Sequence, residues 1–279
     1  MKNLASNDYI DQYQTQGFAI IRNLFSHTDI SALATAFDHL KDYASQFSGS
    51  YRHQNQLYVF QTDEMDSKLL RFVRWPSYSF PTFEKFRADQ RIFDVLEPMI
   101  GQNIKQITNQ AIWKSPGDRR TSYSFHQDAY WRKPVNEYRE LAKSYVQTAI
   151  AIDPHGEFNG GLKMVAGSHR KGNCYQHSGS VMTNNYTAES LDEYGLKENT
   201  VVPLEMSPGD AVIWHPYLFH GSGPNLSNID RRLYINGYVA AAHCDRGEYA
   251  FRHGKPVPLG EPSLVDYDDL YTRPQPHYI

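Results

Sequence analysis

The sequence predicts a mostly β protein with flanking helices. Two observations carry that expectation. Short apolar runs bounded by Gly, Pro and Asn recur from residue 104 onward, at 104–113, 145–152, 201–204, 210–214 and 233–239. Such bounded runs, rich in β-branched and aromatic residues, read as strands. Helical spacing, by contrast, is confined to the first hundred residues.

Taken in order, residues 7–45 read as a helix, a short strand and a second helix. Gln16-Gly17 is turn-like and Phe18-Ala19-Ile20-Ile21 is a short apolar strand. Ser26-His27-Thr28-Asp29 offers caps for a helix in which Ile30, Leu33, Ala36, Phe37 and Leu40 recur at helical spacing. Residues 46–90 are less regular, with strand candidates at 50–53 and 57–60. The stretch 72–81, rich in aromatics and proline, reads either as a substrate lid or as a connection packed on its own rings. Phe93, Val95, Leu96 and Ile100 suggest a short helix closed by Gly101. Lys114-Ser115-Pro116-Gly117-Asp118-Arg119-Arg120 is a basic turn, read as a solvated loop or as an anion contact. Gln110 sits inward on its strand if Ile112 does. Gln147 and Thr148 are polar positions inside a buried-type strand. Their partner is a neighbouring strand or a bound carboxylate. Residues 170–200 are polar and turn-rich, with Asn184-Asn185 as the clearest turn, and read as an insertion over the mouth of the core. The proline-rich residues after 243 read as a tail that wraps the surface or frays.

Composition narrows the function. The chain has 279 residues, 40% hydrophobic and 14% aromatic, enough for a sizeable core. Its formal net charge of −3 offers no electrostatic ground for nucleic acid or an anionic membrane. Two cysteines, Cys174 and Cys244, argue against a disulfide framework and for a reducing, cytoplasmic setting. The first eight residues lack an apolar leader core, and no apolar run is long enough for a membrane span. No repeat or linker appears. A single domain is expected over 1–279, with support to about residue 100, a core over about 101–243 and a tail over 244–279. A monomer or homodimer acting on a small molecule fits this frame.

Chemistry is concentrated in Ser124-Phe125-His126-Gln127-Asp128-Ala129-Tyr130-Trp131. On an extended strand, residues i and i+2 share a face, so His126 and Asp128 can reach one ion together. The third ligand is expected at His220, which opens His220-Gly221-Ser222-Gly223-Pro224-Asn225. His155, His169, His177 and His215 are rival candidates. Two histidines and one carboxylate suit non-haem Fe(II), because they leave positions open for a co-substrate and O₂. Arg231-Arg232 follows eleven and twelve residues after His220. An arginine there can grip a dicarboxylate through its planar fork. Arg231 and Arg232 fall on opposite faces of the strand-like run that they open.

The His-x-Asp pair, the turn from His220 and the arginines together resemble the phytanoyl-CoA dioxygenase family of Fe(II)/2-oxoglutarate-dependent oxygenases. Asn159-Gly160-Gly161-Leu162 leading to Gly167-Ser168-His169 is similar to a further family segment, with Ala166 where proline is usual. The resemblance implies a double-stranded β-helix core, a jelly roll of the cupin type. It implies Fe(II), 2-oxoglutarate as co-substrate, and O₂. It favours Arg231 for the far carboxylate, with Arg232 as the alternate, Ser222 as a hydroxyl donor and Gln110 near the cosubstrate pocket. The implied reaction hydroxylates an unactivated C–H and releases succinate and CO₂. Asp128 stands where related halogenases carry a small residue, which favours hydroxylation over halogenation. Tyr130, Trp131, Trp75, Tyr78 and Trp113 are candidates for an aromatic pocket. Two other classes remain open: an inactive binding protein of this fold, and a cupin-type metalloenzyme using another metal.

Overall fold

The N-terminal helices form where their caps and apolar stripes ask for them. The first runs over Asp8–Gln16 and the second over His27–Ala44. Ser26 caps the second helix in a full capping box: its side chain accepts from the Asp29 N–H, and Asp29 reaches back to the Ser26 N–H. Ile30, Leu33, Ala36, Phe37 and Leu40, the stripe expected from spacing, make its buried face together with Ala44. The helix Gln90–Ile100 is capped by Asp89 and closed by Gly101 at φ 80°.

The structure is a computed structural model that describes residues 8–62, 68–117, 119–176, 180–183, 189–263, 265 and 274–279. The first seven residues, Asp118, His177 and the Asn184-Asn185 turn lie outside that set. Among the described residues, no helix is long and apolar enough to cross a membrane.

The chain forms two compact units interleaved in sequence. One unit takes Met1–Leu24, Lys114–Arg132 and Val146–Arg231. Within it, strand Ala211–Trp214 pairs antiparallel with Phe18–Ile21 on one side and with Tyr145–Ala151 on the other. A second, five-stranded sheet runs in the order Val201–Pro203, Leu162–Val165, His220–Ser222, Ser122–His126, Met182–Thr183. Phe125, Val165, Tyr175, Leu191, Leu196 and Phe219 pack as one core cluster against it. Part of the 170–200 stretch is therefore core, although its composition is polar.

The other unit takes Phe25–Trp113, Lys133–Tyr145 and Arg232–Ile279. Its sheet includes Ile104–Lys114, which pairs with Lys68–Arg74, which in turn pairs with Gln56–Thr62. The aromatic stretch at 72–81 is packed scaffold, not an irregular lid. Trp75, Ser77 and Phe83 are buried, and Pro76–Tyr78 and Pro81–Arg87 are short helical turns. The tail contributes strands. Glu248–Arg252 pairs with the Ile104 end of its neighbour, and His277–Tyr278 pairs with Tyr51 and Arg52.

Candidate metal centre and cosubstrate pocket

His126 closes strand Ser122–His126, and His220 opens strand His220–Ser222. The two histidines are direct cross-strand partners, with ring centroids 4.3 Å apart. Between His220 and Ser222 the register slips. Gly221 fits there because a Cβ would meet the Tyr123 carbonyl at 2.9 Å.

Asp128 reaches the same place by a different route from the one expected. The strand ends at His126, and Asp128 begins a 3₁₀ turn, Asp128–Trp131. Gln127 makes the corner. Its fully buried amide donates to the Gly172 and Tyr217 carbonyls at 2.9 and 2.5 Å and accepts the Cys174 and Tyr175 N–H groups at 2.9 Å each. The Ala129 N–H docks the turn on the Pro216 carbonyl at 3.1 Å.

The ligand atoms of His126, Asp128 and His220 all lie within 4.8 Å of one another. The donor set fits a metal for a second reason. His126 Nδ1 lies 2.7 Å from the Ser124 carbonyl, and His220 Nδ1 lies 3.0 Å from the Leu218 carbonyl. A carbonyl accepts only, so each Nδ1 carries the proton and each Nε2 carries the lone pair. His220 Nε2 stands 3.7 Å from Asp128 Oδ2, and the Trp214 indole donates to that same oxygen at 2.9 Å. Burial works to raise the Asp128 pKa. The neighbouring His220 and His126 rings, Arg132 and the Trp214 hydrogen bond outweigh burial and hold it below the usual carboxylate value.

The rival histidines go elsewhere. His169 Nε2 meets the Gln14 carbonyl at 3.1 Å, and His215 Nδ1 accepts the Tyr217 N–H at 3.0 Å. His155 Nε2 accepts the Leu162 N–H at 2.7 Å.

The two arginines diverge. Arg231 is buried and its guanidinium donates to the Gly160 carbonyl at 3.1 Å. Arg232 turns the other way and pairs with Asp38 at 2.7 Å. Ser222 is buried and accepts from Lys114 Nζ at 2.6 Å. Lys114 is thus a buried end of a strand, not part of a solvated turn. Gln147 is buried opposite Trp214, the residue that holds Asp128. Gln110 lies half-buried on the other unit, paired with Arg74. Trp131 and Tyr175 stand with ring centroids 5.3 and 6.4 Å from that of His126, and Tyr130 packs on Tyr175 at 5.5 Å. Trp75, Tyr78 and Trp113 belong to the other unit, where Trp113 packs on Phe37 and Tyr78 donates to Glu248.

Similarity to known proteins points the same way. The chain is 27% identical over 238 residues to a probable alpha-ketoglutarate-dependent hypophosphite dioxygenase of Stutzerimonas stutzeri, covering 82% of this chain and 77% of that protein. It is 27% identical to the peroxisomal phytanoyl-CoA dioxygenase of Bos taurus, covering 87% and 70%. Among solved structures, the non-haem alpha-ketoglutarate-dependent carbocyclase SnoK superposes with a TM-score of 0.67 at 18% identity, covering 94% of this chain and 97% of that one. EctD from S. alaskensis, solved with 2-oxoglutarate and 5-hydroxyectoine, gives a TM-score of 0.67 at 18% identity, covering 93% and 88%. These likenesses establish the cupin-like jelly-roll fold. The phytanoyl-CoA dioxygenase model matches residues 13–233, and the chain belongs to that family of 2-oxoglutarate-dependent non-haem iron dioxygenases.

Proposed function

We propose that this protein is an Fe(II)- and 2-oxoglutarate-dependent dioxygenase that hydroxylates an unactivated C–H of a small molecule. Substrate, 2-oxoglutarate and O₂ become the alcohol, succinate and CO₂. The observation that carries the reading is the convergence of His126, Asp128 and His220, with both imidazoles locked in the tautomer that a metal needs. Bound iron with its co-substrate supplies the oxidising power. The chain supplies the rest. His126, Asp128 and His220 would hold the metal. Trp214 fixes the carboxylate, and the Ser124 and Leu218 carbonyls fix the imidazole planes. Arg231 takes the far carboxylate of 2-oxoglutarate, with Ser222 beside it. Gln147 is a further candidate for cosubstrate contact.

Trp131, Tyr130 and Tyr175 form the wall beside His126 on which substrate would lie. A cavity of about 740 Å³ lined by Lys171, Cys174, Gln176, Glu193 and Tyr194 adjoins it, since Tyr194 packs on Tyr175 at 6.0 Å. That volume suits a small molecule. The polar and aromatic lining favours a substrate with both an apolar body and a polar group. The whole chain acts as a single oxygenase domain, a monomer or homodimer in the cytoplasm.

The test is succinate formation from 2-oxoglutarate, measured with Fe(II) in air and under strict anaerobiosis. Succinate should form only with all three present, and a cognate metabolite should accelerate it. Undiminished turnover without O₂ would sink the oxygenase reading.

A further inference from the structure

Lys114 and His155 are buried groups that the scheme above leaves without a task. Lys114 ends its strand fully buried. Its ammonium donates to Ser222 Oγ and to the Gly223 carbonyl, and stands 5.6 Å from the centroid of the Tyr123 ring. The Asn225 amide holds the Lys114 carbonyl at 2.8 Å, which fixes the backbone there. Arg231 is anchored close by. Its carbonyl partner, Gly160, has φ 73°, and a Cβ on Gly160 would lie 2.7 Å from the Gly223 oxygen that Lys114 binds. The two cations are therefore tethered to adjoining stretches of backbone.

His155 completes the group. Its Nε2 accepts the Leu162 N–H, so the ring proton sits on Nδ1. That buried Nδ1–H has no hydrogen-bond partner. Burial, then the charges of Arg231 and Lys114, hold the His155 pKa well below its ordinary value, so the ring is neutral and feels both cations. Two buried cations, one of them bound to the Ser222 hydroxyl, and an unmet N–H donor make a surrounding suited to an anion. Buried donors of this kind normally find an acceptor.

We propose that Lys114 and His155 join Arg231 and Ser222 in one cradle for the distal carboxylate of 2-oxoglutarate. Lys114 is its second cation and the His155 Nδ1–H a neutral donor. The inference rests on the cosubstrate reading above. Ser222 lies two residues beyond His220 on the same strand, which places the cradle roughly 6–7 Å along from the triad. A cradle with two cations selects the co-substrate as well as holding it, because a 2-oxo acid without the far carboxylate gains nothing from either.

Calorimetric titration of the Fe(II)-loaded protein under anaerobiosis, with 2-oxoglutarate and with 2-oxobutyrate, separates the possibilities. Wild type should bind 2-oxoglutarate far more tightly than 2-oxobutyrate, which lacks the distal carboxylate. Lys114→Met should weaken 2-oxoglutarate by about 30-fold or more. It should leave 2-oxobutyrate within about 3-fold, so the preference collapses. Lys114→Gln keeps polar reach to Ser222 and Gly223 without the charge. It should lose the same preference, and it carries the test if the Met variant does not fold. His155→Phe should weaken 2-oxoglutarate by about tenfold and again spare 2-oxobutyrate. Equal weakening of both acids, or no change in either, would make Lys114 and His155 scaffold and overturn the proposal. A wild-type protein that binds neither acid would overturn the cosubstrate reading itself.

Discussion

Two pairs of histidines in one unit of this molecule have almost the same separation and opposite chemistry. The rings of His126 and His220 lie 4.3 Å apart, and those of His169 and His215 lie 5.1 Å apart. In the first pair each Nδ1 is tied to a backbone carbonyl, and a carboxylate completes the group. In the second pair the ring nitrogens serve the backbone itself. His169 meets Gln14, His215 meets Tyr217, and Tyr13 packs on His215 with ring centroids 5.9 Å apart. His169 also lies against Gly17, where a Cβ would come 2.5 Å from its Nδ1. Proximity of imidazoles does not make a metal centre. The Nδ1–H tautomer and a nearby carboxylate mark the pair that could hold one.

The largest effect should come from breaking the first pair. His126→Ala or Asp128→Ala should abolish iron binding near neutral pH. His215→Ala should keep the iron and cost about 1–3 kcal/mol of stability, for the Tyr217 N–H left unmet. Anaerobic iron titration beside chemical denaturation tells the two pairs apart. Iron lost from His215→Ala and kept by Asp128→Ala would reverse the assignment.

The next effect separates the two arginines. Removing one partner of a buried charge pair typically costs about 2–5 kcal/mol. Arg231→Ala should therefore weaken 2-oxoglutarate by roughly 30- to several-thousand-fold, with iron affinity little changed. Arg231→Lys keeps charge without the fork and should fall between the two. Arg232→Ala loses a surface pair with Asp38 and should leave 2-oxoglutarate binding within a few-fold. The same titration on all three variants decides. A larger loss in Arg232→Ala would hand the contact to that residue.

Much of this difference was legible in the sequence, and for a physical reason. Alternation along a strand puts neighbours on opposite faces, so order alone separates Arg231 from Arg232, while the choice of Arg231 as the inner one came from the family resemblance. The stripe on helix His27–Ala44 was legible the same way. What escaped was contact between distant segments. Periodicity says nothing of Trp214 meeting Asp128, and a lysine beside Pro-Gly looks solvated until Ser222 comes to meet it. Nothing in the sequence pattern singles out Gln127. Its buried amide turns the chain, which is why Asp128 sits on a 3₁₀ turn and not on the strand.

A gentler break tests the support of the centre. Trp214→Phe keeps the ring and removes the donor to Asp128 Oδ2. Iron affinity should fall about 10- to 100-fold, the usual loss for a residue that orients a ligand. An unchanged iron isotherm would mean that Asp128 needs no such support.

The smallest effect concerns a helix cap. The Arg91 hydrogen bond, opposed by burial and aided by Ser26, holds the Asp29 carboxyl well below its ordinary pKa. A depressed pKa contributes stability above the unfolded value, near pH 4, which is lost as pH falls toward the folded value. Asp29→Asn should cost about 1 kcal/mol at pH 7, discounted for solvent screening. Urea midpoints for wild type and variant should converge as pH falls from 7 to 2. A constant gap would deny the carboxylate its role in the cap.

The most direct measurement is a crystal structure of the protein grown anaerobically with Fe(II) and 2-oxoglutarate. One iron should sit on His126, Asp128 and His220, with the far carboxylate of 2-oxoglutarate at Arg231. An iron on His169 or His215, or a co-substrate pointing away from Arg231, would contradict this assignment.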